Sequence, residues 1–524
     1  MRSTSEISST STPGWVRADV PRPVIVPPPP HRYRHGVLLD GLDTFTDRVA
    51  LLDSEGTMSR LSLLEGSAGL GEALCAPNVD RRGERIAILC RPGREFTSAI
   101  LAVWWSGAIA VPLHPEHPVP ELDHVVGDAR CSVIVASPVH AELARQLATT
   151  HDLRLVLTDP TLRSEPPRRR PEAEDDALIV YTSGTTGRPK GVVHTHRSLE
   201  AQMTSMIEAW QWTAEDRTIC VLPLHHVHGL VNVTLTALRC GAMCESPGGF
   251  DAVHVWNRLA SGDLTVFMAV PTIYARLITA WEDAESDIRT RWSEGAGRLR
   301  LMVSGSAALP VSVLERWREL TGQVLLERYG MTEVGMALSN TLERRVPGHV
   351  GWPMPGVEIR LDEEGELLVR GPQVFDRYWR RPSETSAAFE DGWFRTGDVA
   401  KIAPNGHRLL GRASIDIIKT GGEKVSALEI EECFREHPAV AECAVVGVPD
   451  RTWGEAVAMA ILPTSDADPA ALEVDELRDW GRSRLSAPKL PRRVLVVEAL
   501  PRNALGKVVK TEVAERFQPS GDGG

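Results

Sequence analysis

From about residue 37 to residue 411, short runs of aliphatic and β-branched residues alternate with longer mixed stretches. Arg85 to Cys90, Ala108 to Leu113, Ser132 to Ala136, Leu153 to Leu157, Leu264 to Val270 and Leu299 to Ser304 are apolar at most positions rather than at every second one. Such runs fit strands covered on both faces, and the spacers of helical length between them predict parallel strands in mixed α/β layers. Pro160 to Asp176 interrupts the pattern with prolines, the run Arg168-Arg169-Arg170 and then acidic residues, and reads as a solvated linker. Ahead of the pattern, Met1 to about Gly36 is rich in Ser, Thr and Pro, with Pro27 to Pro30 in a row, a composition expected to stay disordered.

At 524 residues the chain exceeds what one hydrophobic core organises, so at least two folding units are expected. A net charge of −12 argues against nucleic acid or an anionic membrane as the main partner. No apolar run approaches the roughly 20 residues needed to span a bilayer. The eight cysteines show no C-x-x-C pair, which favours buried thiols in a reducing compartment over zinc or disulfides. The first residues hold Glu6 and Asp19, show little amphipathic arginine spacing and lack an apolar secretory core, so the expected location is cytoplasmic. A homo-oligomer is compatible with everything read so far.

The candidate chemistry begins where an apolar run ends. Tyr181-Thr-Ser-Gly-Thr-Thr-Gly-Arg-Pro-Lys190-Gly191 packs hydroxyls and glycines into a loop without an acidic residue. Gly184 and Gly187 let backbone N–H groups approach an anion closely, Thr182, Ser183, Thr185 and Thr186 add donors, and Lys190 adds a positive charge: a phosphate loop. It is not a Walker A loop, because Lys190 follows Pro189 and precedes Gly191. Downstream come Gly305-Ser306-Ala307-Ala308, Tyr329-Gly-Met-Thr-Glu333, Thr396-Gly-Asp398, Gly411-Arg412, Lys419-Thr-Gly-Gly422 and Pro501-Arg-Asn-Ala-Leu-Gly-Lys507.

In this order the runs resemble those of the adenylate-forming superfamily, which includes acyl-CoA synthetases, nonribosomal peptide adenylation domains and luciferases. The likeness covers roughly residues 37 to 515. It is nearest to malonyl- and methylmalonyl-CoA synthetases, through Leu224-His-His-Val-His-Gly229, Phe267 to Tyr274 and Leu301 to Pro310. The resemblance implies a large mixed α/β domain of several sheets that binds ATP and the acid (37–411) and a small mobile α+β lid domain (412–524), beyond the disordered 1–36.

Making an acyl adenylate requires a carboxylate to attack the α-phosphorus of ATP while pyrophosphate leaves, so negative charge must be neutralised. A hard carboxylate suits Mg²⁺, and one carboxylate can accept from both vicinal hydroxyls of a ribose. The resemblance gives Glu333 the first role and Asp398 the second. It places Thr332 at the α-phosphate, Gly305, Ser306, Ala307, Tyr329 and Gly330 around the nucleotide with Tyr329 on adenine, and Arg412 at the ribose. An ion pair between Arg412 and Asp398 is compatible with that use. It makes Lys507 the catalytic lysine of the adenylation step. In a second conformation Gly421 and Gly422 pass the pantetheine of CoA, whose thiolate displaces AMP. Ser414 and Asp416 are both candidates for the hinge pivot, Asp416 the favoured one.

The acid pocket is expected from His226 and His228, the Pro247 to Phe250 turn, Val270 to Tyr274, Ser304 to Ala307, and Met331, with His226 gating the two steps. Bacterial malonate-activating members of the family carry arginine at the position of Gly249, so another cation must face a distal carboxylate, Arg239 and Arg276 being nearby. The expected activity is ATP- and Mg²⁺-dependent ligation of a short or dicarboxylic acid to CoA. The alternative is a diazotase that activates nitrite for an aryl amine without CoA. A nucleotide-binding scaffold would show loss of catalytic groups, whereas Lys507, Glu333, Asp398 and Arg412 are all present.

Overall fold

The computed structural model describes residues 42, 44, 46–75, 81–167, 170–182, 189–502 and 508–517. The expected disorder of residues 1–36 therefore lies outside the described residues.

A seven-stranded sheet runs in the order Arg377–Tyr378, Lys190–Thr195, Asp176–Thr182, Ile109–Pro112, Arg85–Leu89, Val133–Ala136, Arg154–Leu157. Its strands from Asp176–Thr182 onward are parallel. A nine-stranded sheet has a parallel heart of Leu326–Met331, Leu301–Ser304, Val266–Ala269, Arg217–Ile219, Met243–Glu245 and Val49–Asp53. Every run expected as a strand carries one, and all but the edge strand Arg154–Leu157 are buried almost throughout, with no polar side to alternate with. Val133–Ala136 and Leu301–Ser304 are buried at every position. Behind the nine-stranded sheet Trp256 stacks on Trp292 (5.4 Å between centroids) and on Trp317 (5.2 Å), locking three helices together.

A third sheet holds Glu358–Leu361, Glu366–Arg370, Trp393–Ala403, Phe389–Glu390 and Gly406–Arg412. A fourth holds Glu423–Ser426, Ile417–Thr420, Gly454–Pro463, Val440–Asp450 and Arg493–Val496. Here the period-two pattern reappears: Cys443 and Val445 pack with Phe434 and Leu477 on one face, Ala444, Val446 and Val448 with Val513 on the other. These two small cores are separate from the large one, giving a smaller C-terminal domain after a large multi-sheet one. Among the described residues no helix is long and apolar enough to cross a membrane.

Candidate active site

The strand Trp393–Ala403 turns back into Gly406–Arg412 with Asp398 and Arg412 as register partners. That pairing brings Arg412 Nε to 3.0 Å from Asp398 Oδ1. From the nine-stranded sheet, the Tyr329 hydroxyl donates to Asp398 Oδ2 at 2.5 Å. Burial works against charge on Arg412, and Asp398 beside it nonetheless holds its pKa above the ordinary value. The result is a buried carboxylate tethered from two sheets. Gly330, the next residue, has no room for a side chain: a Cβ would lie 2.1 Å from the Gly335 carbonyl oxygen.

Three residues beyond Gly330, Glu333 is buried and its Oε1 accepts from the Tyr378 hydroxyl at 3.0 Å. Lys190 Nζ sits 3.7 Å from the centroid of the same tyrosine ring and 3.4 Å from Glu384. Burial raises the Glu333 pKa, opposed by the Arg412 and Lys190 charges. The Thr332 carbonyl accepts from His194 Nε2 at 2.8 Å, and burial pushes that imidazole down to about 4, so it stays neutral. His194 is held because the chain turns into the helix His196–Trp210 immediately after it, with Thr195 capping the Ser198 N–H.

Thr182 and Lys190 are register partners of an antiparallel pair, so the phosphate loop joins strand to strand. Ser183, Gly184, Thr185, Thr186 and Gly187 lie outside the described residues, as does Lys507. The structure thus brings Thr332, Glu333, Lys190, Tyr329, Asp398 and Arg412 together.

At the other side of strand Leu326–Met331, Gly305 and Ser306 follow the strand Leu301–Ser304, with Ala307 exposed beyond them. Ser306 takes a left-handed backbone (φ +71°) that sets its Oγ 3.0 Å from His228 Nδ1. Arg328 Nη2 lies 3.5 Å from that Oγ, and its guanidinium packs directly on Gly305, where a Cβ would lie 2.4 Å from Arg328 Cζ. His226 is half-buried and packs against His225 with tilted rings, 3.9 Å between centroids, and His225 also meets His114 (4.6 Å) and His117 (4.9 Å). Met331 is half-buried at the strand end.

Of the cations expected to face the acid, Arg239 is engaged by Glu200 at 2.7 Å in a buried pair, and Arg276 is exposed and stacks on Phe250 at 4.5 Å. Tyr274 is fully buried, its hydroxyl donating to the Val303 carbonyl at 3.0 Å, so it supports the wall instead of lining it. Gly249 is exposed, and a Cβ there would meet nothing within 4 Å.

Just before Arg412, the chain tightens at Gly411 (φ +122°), where any Cβ would collide with Asp416. Asp416 Oδ2 accepts the Arg412 N–H at 3.0 Å. Gly421 and Gly422, both at positive φ, form the exposed turn between Ile417–Thr420 and Glu423–Ser426, with Trp453 against Gly421.

Arg328, beside Ser306, and the clustered histidines His114, His117 and His225 were not among the residues expected at the site. Glu327-Arg328 does interrupt an apolar run, a signal that a charged pair sits inside a buried strand.

A carboxylate on an antiparallel sheet, met by Tyr329 from the nine-stranded sheet and lying near a buried glutamate and a lysine, is an arrangement suited to a nucleotide. Residues 40–379 match the family described as AMP-binding enzyme, and residues 429–507 its C-terminal domain. The chain is 42% identical to the mitochondrial malonate–CoA ligase of Mus musculus, over 91% of this chain and 90% of that one. Among solved structures it is similar to ATP-bound MatB from Rhodopseudomonas palustris (TM-score 0.83, 31% identity, 93% and 99% of the two chains). It is similar too to a malonyl-CoA ligase in a ternary complex with methylmalonyl-CoA and AMP (TM-score 0.64, 38% identity, 88% and 98%). The chain belongs to the AMP-binding enzyme family and is an adenylate-forming ligase of the acyl-CoA synthetase type.

Proposed function

We propose that the acid ligated to CoA is a short dicarboxylic acid, malonate first and methylmalonate next. The geometry that carries the two-step reading is Asp398, held by Tyr329 and Arg412 beside Glu333 and Lys190; the choice of acid is supported by the likeness to malonate–CoA ligases over most of the chain.

In the first step a carboxylate oxygen of the acid attacks the α-phosphorus, the bond to the bridging oxygen breaks, and pyrophosphate leaves. Asp398 accepts from the ribose hydroxyls, Tyr329 covers adenine, and Thr332 and Lys190 face phosphate, while the hydroxyl and glycine loop from Thr182 cradles it. Lys507 bridges the attacking carboxylate and the α-phosphate. Glu333 fits Mg²⁺, being a buried hard-oxygen donor whose charge needs a cation nearby; the ion would neutralise phosphate charge there. In the second step the thiol of CoA loses a proton and its sulfur displaces AMP. Residues 412–524 act as a lid over the domain of residues 37–411, pivot at Asp416, and present Gly421 and Gly422 to pantetheine, with His226 as the gate.

The test is AMP release from ATP and Mg²⁺ with malonate, methylmalonate, acetate, an aryl acid, or nitrite plus an arylamine, each with and without CoA. CoA-dependent turnover with malonate is expected; turnover with nitrite and amine regardless of CoA would move the chain to the diazotase reading.

A further inference from the structure

Glu432 reaches from the smaller domain to the larger one. It lies on the helix Ala427–Phe434, and its Oε1 accepts the backbone N–H of Val311 at 2.8 Å. Val311 opens the helix Val311–Thr321, whose Leu314, Trp317 and Leu320 pack into the large core. That helix has Pro310 at its N-cap, receives no side-chain cap from its own segment and carries no acidic residue in its first turn. The first N–H groups of a helix need acceptors and favour negative charge nearby, so Glu432 supplies from the other domain what the local sequence omits. Its other oxygen, Oε2, pairs with Arg435 Nη1 at 2.7 Å on its own helix, which steadies the carboxylate in that direction.

The contact belongs to one arrangement of the two domains. The helix bearing Glu432 starts beside Asp416: the Ala427 N–H donates to the Asp416 carbonyl at 2.7 Å, and the Ser426 hydroxyl donates to the Leu410 carbonyl. Six residues of helix set Glu432 about 9 Å beyond Ser426, so a large turn about Asp416 carries its carboxylate out of hydrogen-bond reach of Val311. In the same arrangement Gly421 and Gly422 are exposed, and a Cβ at Gly422 would meet nothing within 4 Å. The turn read as the pantetheine passage therefore stands in solvent. Lys424 beyond it lies 3.3 Å from Glu364 of the large domain, but these side chains are 49% and 78% exposed, and such a pair contributes little. The Glu432 carboxylate, 30% exposed and bonded to a helix end, is the stronger tie.

We propose that Glu432 is a positioning residue that holds the smaller domain in the arrangement for adenylation and has to release Val311 before the CoA step, an assignment that rests on the two-step reading above.

The experiment measures the two half-reactions separately in the unaltered protein, Glu432→Ala, Glu432→Gln, Val311→Pro and the double variant Glu432→Ala/Val311→Pro. The first is exchange of labelled pyrophosphate into ATP without CoA, run with whichever acid of the panel above the protein turns over; the second is thioester formation from that acid's adenylate, supplied together with CoA. Val311→Pro deletes the N–H from the large-domain side without breaking the helix, because proline suits the first helical position and Pro310 already has the extended backbone (φ −59°, ψ 133°) required before a proline. Exchange should fall on the order of 5-fold in Glu432→Ala and in Val311→Pro, and no further in the double variant, since both remove one bond. Glu432→Gln keeps an acceptor oxygen and should lose less. Thioester formation from the adenylate should hold or rise, which also shows that the variants are folded. An unchanged exchange rate, equal falls in both half-reactions, or losses that add in the double variant overturn the role of Glu432. Absence of exchange with every acid in the unaltered protein overturns the two-step reading itself.

Discussion

Lys510 and Asp416 form a buried ion pair, Nζ to Oδ1 at 2.5 Å, that ties the last described helix to the turn just after Arg412. The same ammonium lies 2.8 Å from Glu431 Oε1. Burial opposes its charge, and the two carboxylates hold its pKa above the ordinary value. Replacing Lys510 with Met leaves two buried acids facing each other, at a cost of about 3 kcal/mol or more. A thermal melt should show the loss; Lys510→Met with the midpoint of the unaltered protein would mean that the pair does not hold this turn.

Asp398 accepts from Tyr329 and pairs with Arg412, so Asp398→Asn removes the charge while keeping the shape. Hydrogen bonds to a charged group contribute about 1.5–3 kcal/mol, so ATP should bind roughly 10- to 100-fold more weakly. Titration calorimetry with ATP checks this separately from turnover; unaltered ATP affinity would remove Asp398 from the ribose site.

The parallel strands were legible because burial on both faces writes continuous apolar runs. Tyr329, Glu333, Asp398 and Arg412 were legible as motif residues, though not their mutual contacts. The histidine cluster was not legible, since His114 and His225 lie on loops of different sheets that only the folded layers bring to 4.6 Å. Nor was the pairing of Arg239, whose partner Glu200 sits on the helix His196–Trp210. A charged residue in sequence carries no mark of whether its partner is a neighbouring helix or a substrate.

Glu327 offers a test in stability rather than activity. Burial pushes its carboxyl from 4.5 up to about 8, with Oε1 accepting the Gly348 N–H at 2.7 Å. Between those values the folded protein keeps a proton that the unfolded chain has lost, so stability is full below the lower value and falls as pH rises toward the upper one. The slope is about 1.4 kcal/mol per pH unit. Glu327→Gln keeps the acceptor and stays neutral, so its midpoint should match the unaltered protein near pH 4 and exceed it increasingly toward pH 8. Parallel melting curves across that range would show that Glu327 ionises normally in the fold.

Gly249→Arg asks whether the Pro247 to Phe250 turn faces the far end of the acid. The position has open space for a side chain, and its backbone is not at positive φ, so the substitution strains nothing. Because Gly249 is exposed, water screens any charge placed there, and a new pair contributes at most about 1 kcal/mol. The malonate-to-propionate ratio should therefore rise by no more than about 5-fold. Kinetics on Gly249→Arg and the unaltered protein, by AMP release with each acid, decide it. A ratio unmoved by the substitution puts the turn outside the acid pocket.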